Sequence, residues 1–192
     1  MRPFGVAELG VRPLLHMSTI SQLVQDYSSR LRSLNCSRER DRDILEETFA
    51  SFESEVASLS DIESDIIAGL TSLLTDHDGS RVSLWITAAG VRPSLIYVPT
   101  LCELLSVREA YLQHEWIVDI LRELRSPDSI DALRDACSYD IPSDPACQLA
   151  RLCLEALCVI ATPDAFEALR SQLHSPRPEI REEAKRLLEI SA

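Results

Sequence analysis

The sequence predicts an all-α protein, a short right-handed α-solenoid of about eight or nine helices arranged in antiparallel pairs. The 192-residue chain holds only five glycines, and it is 45% apolar but 5% aromatic, a composition typical of helical proteins. Apolar residues recur at spacings of three and four along most of its length. One helical pattern also occurs twice at a fixed interval, and such a repeat indicates stacked helical units.

The two copies of the repeat are ILRELRSPDSIDALRDAC (Ile120–Cys137) and ALCVIATPDAFEALRSQL (Ala156–Leu173), 36 residues apart. Each contains a Ser-Pro or Thr-Pro pair, Ser126-Pro127 and Thr162-Pro163. A hydroxyl before a helix can accept from a free backbone amide, and proline suits the first helical position. Both pairs therefore predict helix starts. The clearest repeats span residues 111–192, where the final helix, 178–190, forms a closing half unit.

Two helices are predicted before the repeats, over residues 20–34 and from about Ser37 to Leu59. Their apolar stripes and short connection indicate an antiparallel hairpin. Ser60 and Glu63 have the spacing of a capping box, which predicts a third helix start at this point. Residues 81–98 admit two interpretations, a β-hairpin or a helix that ends at Gly90. The helix is preferred because helices surround this segment.

Residues 1–16 are expected to form a disordered tail before a single helical domain over residues 17–192, and Met17 is an alternative start. None of the six cysteines forms a CxxC pair. We therefore expect buried thiols in a cytoplasmic protein rather than disulfides or a zinc site. No apolar run reaches 18 residues, so the sequence predicts no membrane span.

The second repeat and the segment after it, ALCVIATPDAFEALRSQLHSPRPEIREEAKRLLEI, resemble HEAT-like repeats. Arg181 lies where such repeats often carry an arginine. The segment HEWIVDIL…CQLARLCLEAL is similar to small bacterial HEAT-like proteins that act as immunity partners of toxins. These resemblances imply a protein-binding scaffold; a minority of HEAT-like proteins bind DNA, including some alkyl-base glycosylases.

The net charge of −12 favours basic partners over nucleic acid or anionic membranes. Ten carboxylates and no Lys or Arg lie between Asp43 and Asp78. The second helices of successive solenoid units share one surface, and their exposed positions are mixed in charge but lean acidic. Plain solvated surface is the alternative for each position. The candidate protein-binding residues are Glu63, Asp65, Asp76, Asp78, Glu103, Asp131, Arg134, Asp135, Glu167 and Arg170.

No complete catalytic motif is present, and no cofactor or metal is expected. His114-Glu115 lacks the second histidine of a zincin helix, since Val118 occupies that position, so we expect His114 to be partly exposed. Asp76-His77-Asp78 is a metal-site alternative, but it lacks further histidines. Trp116 is interpreted as a residue of the core or of helix-hairpin packing because Ile117 and Ile120 are close by; if exposed, it becomes a candidate binding anchor.

We therefore expect a non-enzymatic, cytoplasmic protein that binds another protein, as a monomer or homodimer. The most specific hypothesis is an immunity protein that masks the active site of a basic bacterial toxin. One alternative is a scaffold or assembly protein. Another is an enzyme, either a helical metal-dependent phosphohydrolase or a HEAT-like DNA glycosylase. The sequence identifies neither the partner nor the binding face.

Overall fold

A computed structural model of the chain describes residues 19–34, 39–76, 78–109, 112–139 and 147–191. Over these residues the chain is helical and contains no strand, which confirms the all-α prediction. The described helices number ten instead of eight or nine, because even the short α5 and α7 form separate elements. They are α1 Thr19–Leu31, α2 Glu39–Ser58, α3 Glu63–Ser72, α4 Gly79–Val91, α5 Val98–Ser106, α6 His114–Leu124, α7 Ile130–Ala136, α8 Gln148–Ile160, α9 Pro163–Ser171 and α10 Pro178–Ile190.

The helices contact one another in two successions. Helices α3, α5, α7 and α9 follow one another in contact, and so do α2, α4, α6, α8 and α10. The two successions also contact each other, through α3 with α4, α5 with α6, α7 with α8 and α9 with α10. Helix α1 lies at one end, against α2, α3 and α4. The core therefore lies between two layers of helices, as layered packing of amphipathic helices requires.

Residues 81–98 are helical and not a β-hairpin, which confirms the preferred interpretation. Helix α4 ends at Val91, and a 3-10 turn at Leu95–Tyr97 leads into α5. Residues 82–89 of α4 are all buried, so neighbouring elements cover most of this helix. Trp85 packs so closely on α3 that a Cβ added to Gly69 would overlap its indole ring. Glycine is needed here for this close approach.

The repeated cap forms at both predicted places. Ser126 Oγ accepts from the Asp128 amide at 3.3 Å, and Thr162 Oγ1 accepts from the Ala165 amide at 3.2 Å. The residue before each cap, Arg125 or Ala161, is left-handed, with φ of 51° and 56°. The two copies of the repeat are therefore equivalent in backbone conformation as well as in sequence at this position. One difference is that Pro127 opens a 3-10 turn before α7, whereas Pro163 begins α9 directly.

Side chains distant in sequence join the first four helices. The Tyr27 hydroxyl contacts Ser51 Oγ at 2.8 Å and donates to Glu55 at 2.5 Å, which ties α1 to α2. Ser28 Oγ contacts Ser80 Oγ at 2.8 Å, which ties α1 to α4. These bonds cross 24 to 52 residues of chain, so local patterns could not reveal them.

Two local predictions are wrong. Ser60 and Glu63 do not form a capping box: α3 begins at Glu63, and its N-cap residue is Ile62. Ile62 is anchored in the core, and Asp61 is left-handed with φ 57°, so the helix begins later than a Ser60 cap requires. His114 is buried, not partly exposed, because its Nε2 bonds to the carbonyl oxygen of Val107 at 2.8 Å. The expected tail over 1–16, the Ser37 start and residues 140–146 lie outside the described residues.

Candidate protein-binding grooves

An open groove of about 630 Å³ lies between α2, α4 and α6, and we call it the Trp116 groove. Helices far apart in sequence form it, because α2, α4 and α6 follow one another in contact. Most of its lining is apolar. The apolar side chains are Leu45, Phe49, Ile86, Val91, Trp116 and Ile120. Such a concave apolar surface can receive side chains from a bound partner.

Trp116 is 44% exposed, so its interpretation as a core residue is wrong. At 100° per residue it lies about 200° around α6 from the buried His114, on the side away from Val118 and Leu121. Its ring meets that of Phe49 edge to face, with 6.3 Å between the centroids. This contact orients the indole against α2 while much of its surface stays open. Large aromatic side chains held in this way are frequent anchors of protein interfaces.

Carboxylates border the Trp116 groove on two sides. Glu46 and Glu53 lie on α2, and Asp119 lies on α6. Asp119 pairs with Arg122 at 2.8 Å, and Arg122 also pairs with Glu155 at 3.3 Å. Within the described part of the chain, no basic side chain is within 4 Å of the Glu46 or Glu53 carboxylate. The α2 side of the groove therefore presents uncompensated negative charge.

The groove continues toward α8. A second depression of about 490 Å³ shares Gly90, Asp119 and Ile120 with the Trp116 groove and reaches Val159. Arg122 and Arg125 line this extension, so its charge is mixed. A ligand lying along both depressions would thus meet apolar and acidic surface first and basic groups only at the far end.

A third groove, of about 590 Å³, lies between α7 and α9, and we call it the α7–α9 groove. It brings together three of the predicted site residues, Asp131, Arg134 and Glu167. Their charges are largely compensated locally. Arg134 pairs with Asp131 at 2.9 Å and with Asp135 at 3.5 Å, and Arg170 pairs with Glu167 at 3.2 Å. The predicted groove is therefore present and leans acidic, because four carboxylates and one arginine line it, and Asp128 and Asp164 have no basic partner within 4 Å among the described residues.

The other predicted site residues lie elsewhere. Glu63 and Asp65 occupy the first turn of α3, where their carboxylates interact favourably with the positive end of the helix dipole. Glu103 is exposed on α5. Asp76 pairs with Arg81, and Asp78 pairs with Arg32. The acidic tract of residues 43–78 is thus divided, since its last two carboxylates have arginine partners, whereas those on α2 have none among the described residues.

Asp78 has a structural role. Its carboxylate caps α4 by accepting from the Ser80 amide at 3.1 Å and the Ser80 hydroxyl at 2.6 Å. Burial alone would raise the pKa of Asp78, but these bonds and the Arg32 charge outweigh it, so the pKa lies below its usual value. The charge of Asp78 is therefore engaged within the fold.

Two thiols, those of Cys102 and Cys153, are held in their protonated form. The hydrogen bond to Cys137 and burial raise the pKa of Cys153 well above the usual value, and burial raises that of Cys102 to about 11. Among the described residues no three His, Cys, Asp or Glu side chains group as metal ligands. His77 of the metal-site alternative lies outside those residues. The described helices include none of the length and apolarity needed to cross a bilayer.

Comparisons with protein-family models, with curated proteins and with solved structures each gave no match to this chain. The grooves must therefore be interpreted from their own chemistry.

Proposed function

We propose that this chain is a non-enzymatic, HEAT-like α-solenoid that binds a basic protein. The single observation that carries the proposal is the Trp116 groove, where an exposed aromatic ring lies beside carboxylates that have no basic partner among the described residues. Apolar anchors supply most of an interface's affinity, and uncompensated charge increases the rate and specificity of association. The whole chain, at −12, would attract a basic partner over a longer range.

The solenoid part of the proposal is supported by the order of helix contacts. Each helix from α3 onward contacts the helix two positions further along, and the repeat at Arg125 and Ala161 extends to backbone conformation. Stacked units of this kind produce extended binding surfaces. A cytoplasmic location is part of the same proposal. Free buried thiols at Cys137, Cys147 and Cys153 support it, because they suit a reducing compartment.

The specific role we propose is that of an immunity protein, which neutralises a basic toxin by covering its active site. The test is co-expression of this chain with basic toxin domains encoded beside its gene. One of them should lose its toxicity and co-purify with this chain as a stoichiometric complex. If no neighbouring toxin is neutralised, and the partners captured from the source cell are not basic, the proposal is wrong.

A further inference from the structure

We propose that the Trp116 groove receives one amphipathic helix with basic side chains along its polar edge, contributed by the partner. This inference rests on the proposed function and names the element of the partner that is bound. It depends on the dimensions of the groove, on the chemistry of its lining and on its charge.

The dimensions fit a short helical face. The α2 side of the groove extends from Leu45 to Glu53, which at 1.5 Å per residue is about 12 Å, or roughly two helical turns. Two turns of an amphipathic helix present apolar side chains at positions i, i+4 and i+7 on one face. Such side chains would lie against the exposed part of Trp116 and its neighbour Phe49.

The lining favours a helix over an extended peptide. Every residue that lines the groove belongs to α2, α4 or α6, so helices and no strand edge form this surface. An extended peptide would find no sheet edge here, and its own amides and carbonyls would lose water without gaining partners. A helix satisfies its backbone internally and needs to offer only side chains.

The charge determines the kind of helix. Glu46 and Glu53 lie about two turns apart on the same face of α2, and Asp119 lies across the groove on α6. Lys or Arg flanking the apolar face of the ligand would meet the carboxylates of Glu46 and Glu53, which have no basic partner among the described residues. A second copy of this chain is a poor occupant, because it would bring the same acidic border to a protein that already carries −12. Nucleic acid and anionic lipid are disfavoured for the same reason.

The test uses the full chain and a synthetic 18-residue amidated peptide of Leu and Lys, with Leu at i, i+3, i+4 and i+7. Binding is measured by calorimetry and by the emission of Trp116. Trp116→Ala should weaken the peptide's affinity by about 10–100-fold, as expected for an aromatic anchor. Glu46→Gln with Glu53→Gln should slow association by roughly 3-fold or more at low salt, and added salt should remove this difference.

Two controls separate recognition from general charge attraction. Glu179→Gln with Glu182→Gln changes the net charge equally on the distant helix α10, where both side chains are exposed, and should leave the peptide's affinity within about 2-fold. A peptide of the same composition in scrambled order, with no apolar face, should bind at least 10-fold more weakly. Circular dichroism of each variant checks that it is folded.

Equal binding by wild type and Trp116→Ala, or equal binding of the scrambled peptide, would overturn the inference. A dimer of this chain that forms without peptide and is lost in Trp116→Ala would assign the groove to a second copy and would also overturn it. The outcome is separable from the proposed function. A toxin neutralised equally well by Trp116→Ala would reject the helix in this groove while leaving the immunity role intact. Peptide binding that depends on Trp116, without any neutralised toxin, would support the helix in this groove and reject the immunity role.

Discussion

The Trp116 groove and the α7–α9 groove are similar in size, about 630 and 590 Å³, but interactions of different range build them. Within the described part of the α7–α9 groove, arginines pair with carboxylates one to three positions away on the same helix. The Trp116 groove joins α2, α4 and α6, and its central contact, Phe49 with Trp116, spans more than sixty residues of chain. In the α7–α9 groove this local pairing engages Asp131, Asp135 and Glu167, while Asp128 and Asp164 have no basic partner among the described residues. The distant contacts leave the other groove with an open aromatic ring beside Glu46 and Glu53, which have no basic partner among the described residues.

The same contrast applies to the two halves of the chain. From α6 onward, a repeated cap and a repeated hydrophobic phase organise the helices. Before α6, contacts between residues distant in sequence, such as Trp85 on Gly69 and Tyr27 with Ser51, hold the helices together. Substitutions at non-local contacts should therefore destabilise the protein more than the substitution of either repeated helix cap.

The largest effect is expected for Gly69→Ala. Its new Cβ would overlap the Trp85 indole, which is only 2% exposed and cannot move outward. We expect a loss of about 3 kcal/mol in the free energy of unfolding, measured by urea denaturation. The control is Gly90→Ala, whose Cβ would lie 3.7 Å from Ile120 Cγ1, an ordinary contact. It should gain up to about 1 kcal/mol from helix propensity. Equal stability of the two variants would contradict the close α3–α4 packing.

A second comparison uses two buried tyrosines, Tyr97 and Tyr139. At alkaline pH the prediction concerns Tyr97. Burial, followed by the charge of Glu63, raises the pKa of Tyr97 to about 12, and its hydroxyl has no hydrogen-bond partner among the described residues. The unfolded state then ionises near pH 10, before the folded state, so stability falls as the pH rises from about 10 to 12. Tyr97→Phe should remove up to about 2 kcal/mol of this pH-dependent loss.

At neutral pH the two tyrosines should differ in sign. Tyr97→Phe should be neutral or stabilising, because it removes an unpaired hydroxyl from the core. Tyr139 donates to the carbonyl oxygen of Leu105 at 3.0 Å, so Tyr139→Phe should lose about 1 kcal/mol. Thermal and urea unfolding at pH 7 measure both. A Tyr97→Phe loss as large as that of Tyr139→Phe would mean that Tyr97 has a partner after all.

The repeated caps should contribute equally. Ser126→Ala and Thr162→Ala each remove one bond to a helix-start amide, and each should lose about 1 kcal/mol. Ser94 precedes a 3-10 turn but makes no side-chain cap bond, so Ser94→Ala should change stability by less than about 0.5 kcal/mol. If one cap proved several times more important than the other, the two units would not be energetically equivalent.

The smallest effect is expected at the paired charges of the α7–α9 groove. Arg134 is 42% exposed, and exposed pairs are worth about 0–1 kcal/mol, so Arg134→Gln should change stability by less than about 0.5 kcal/mol. Arg177 is the comparison, since its guanidinium donates to the carbonyl oxygens of Cys137 and Tyr139 at 3.1 Å each. Arg177→Gln should lose about 1–2 kcal/mol. The reverse order would assign an unexpected structural role to the α7–α9 charges.

The predictability of each feature from the sequence depended on the range of its interactions. The repeat, its caps and the bounds of α10 follow from spacing along one helix, and the structure has all three. The capping box at Ser60 had the right spacing but failed, because the packing of Ile62 in the core sets where α3 begins. Local spacing therefore predicts helices better than their first residues.

The site was harder to predict because no local pattern brings α2 beside α6. The proximity of Trp116 to Ile117 and Ile120 along the chain suggested burial. Its angular position around α6, on the side away from the apolar Val118 and Leu121, was the signal that could have indicated exposure. The charged residues predicted on α7 and α9 do meet in one groove, but their mutual pairing depends on side-chain geometry.

The most direct test of the central claim is hydroxyl-radical footprinting of the full chain with and without its basic partner or the Leu/Lys peptide. Trp116 reports on the Trp116 groove, and Phe166 reports on α9, which does not line that groove. The account predicts that the ligand lowers the oxidation of Trp116 several-fold and leaves that of Phe166 unchanged. Unchanged oxidation of Trp116 in a saturated complex, with protection at Phe166 instead, would contradict it.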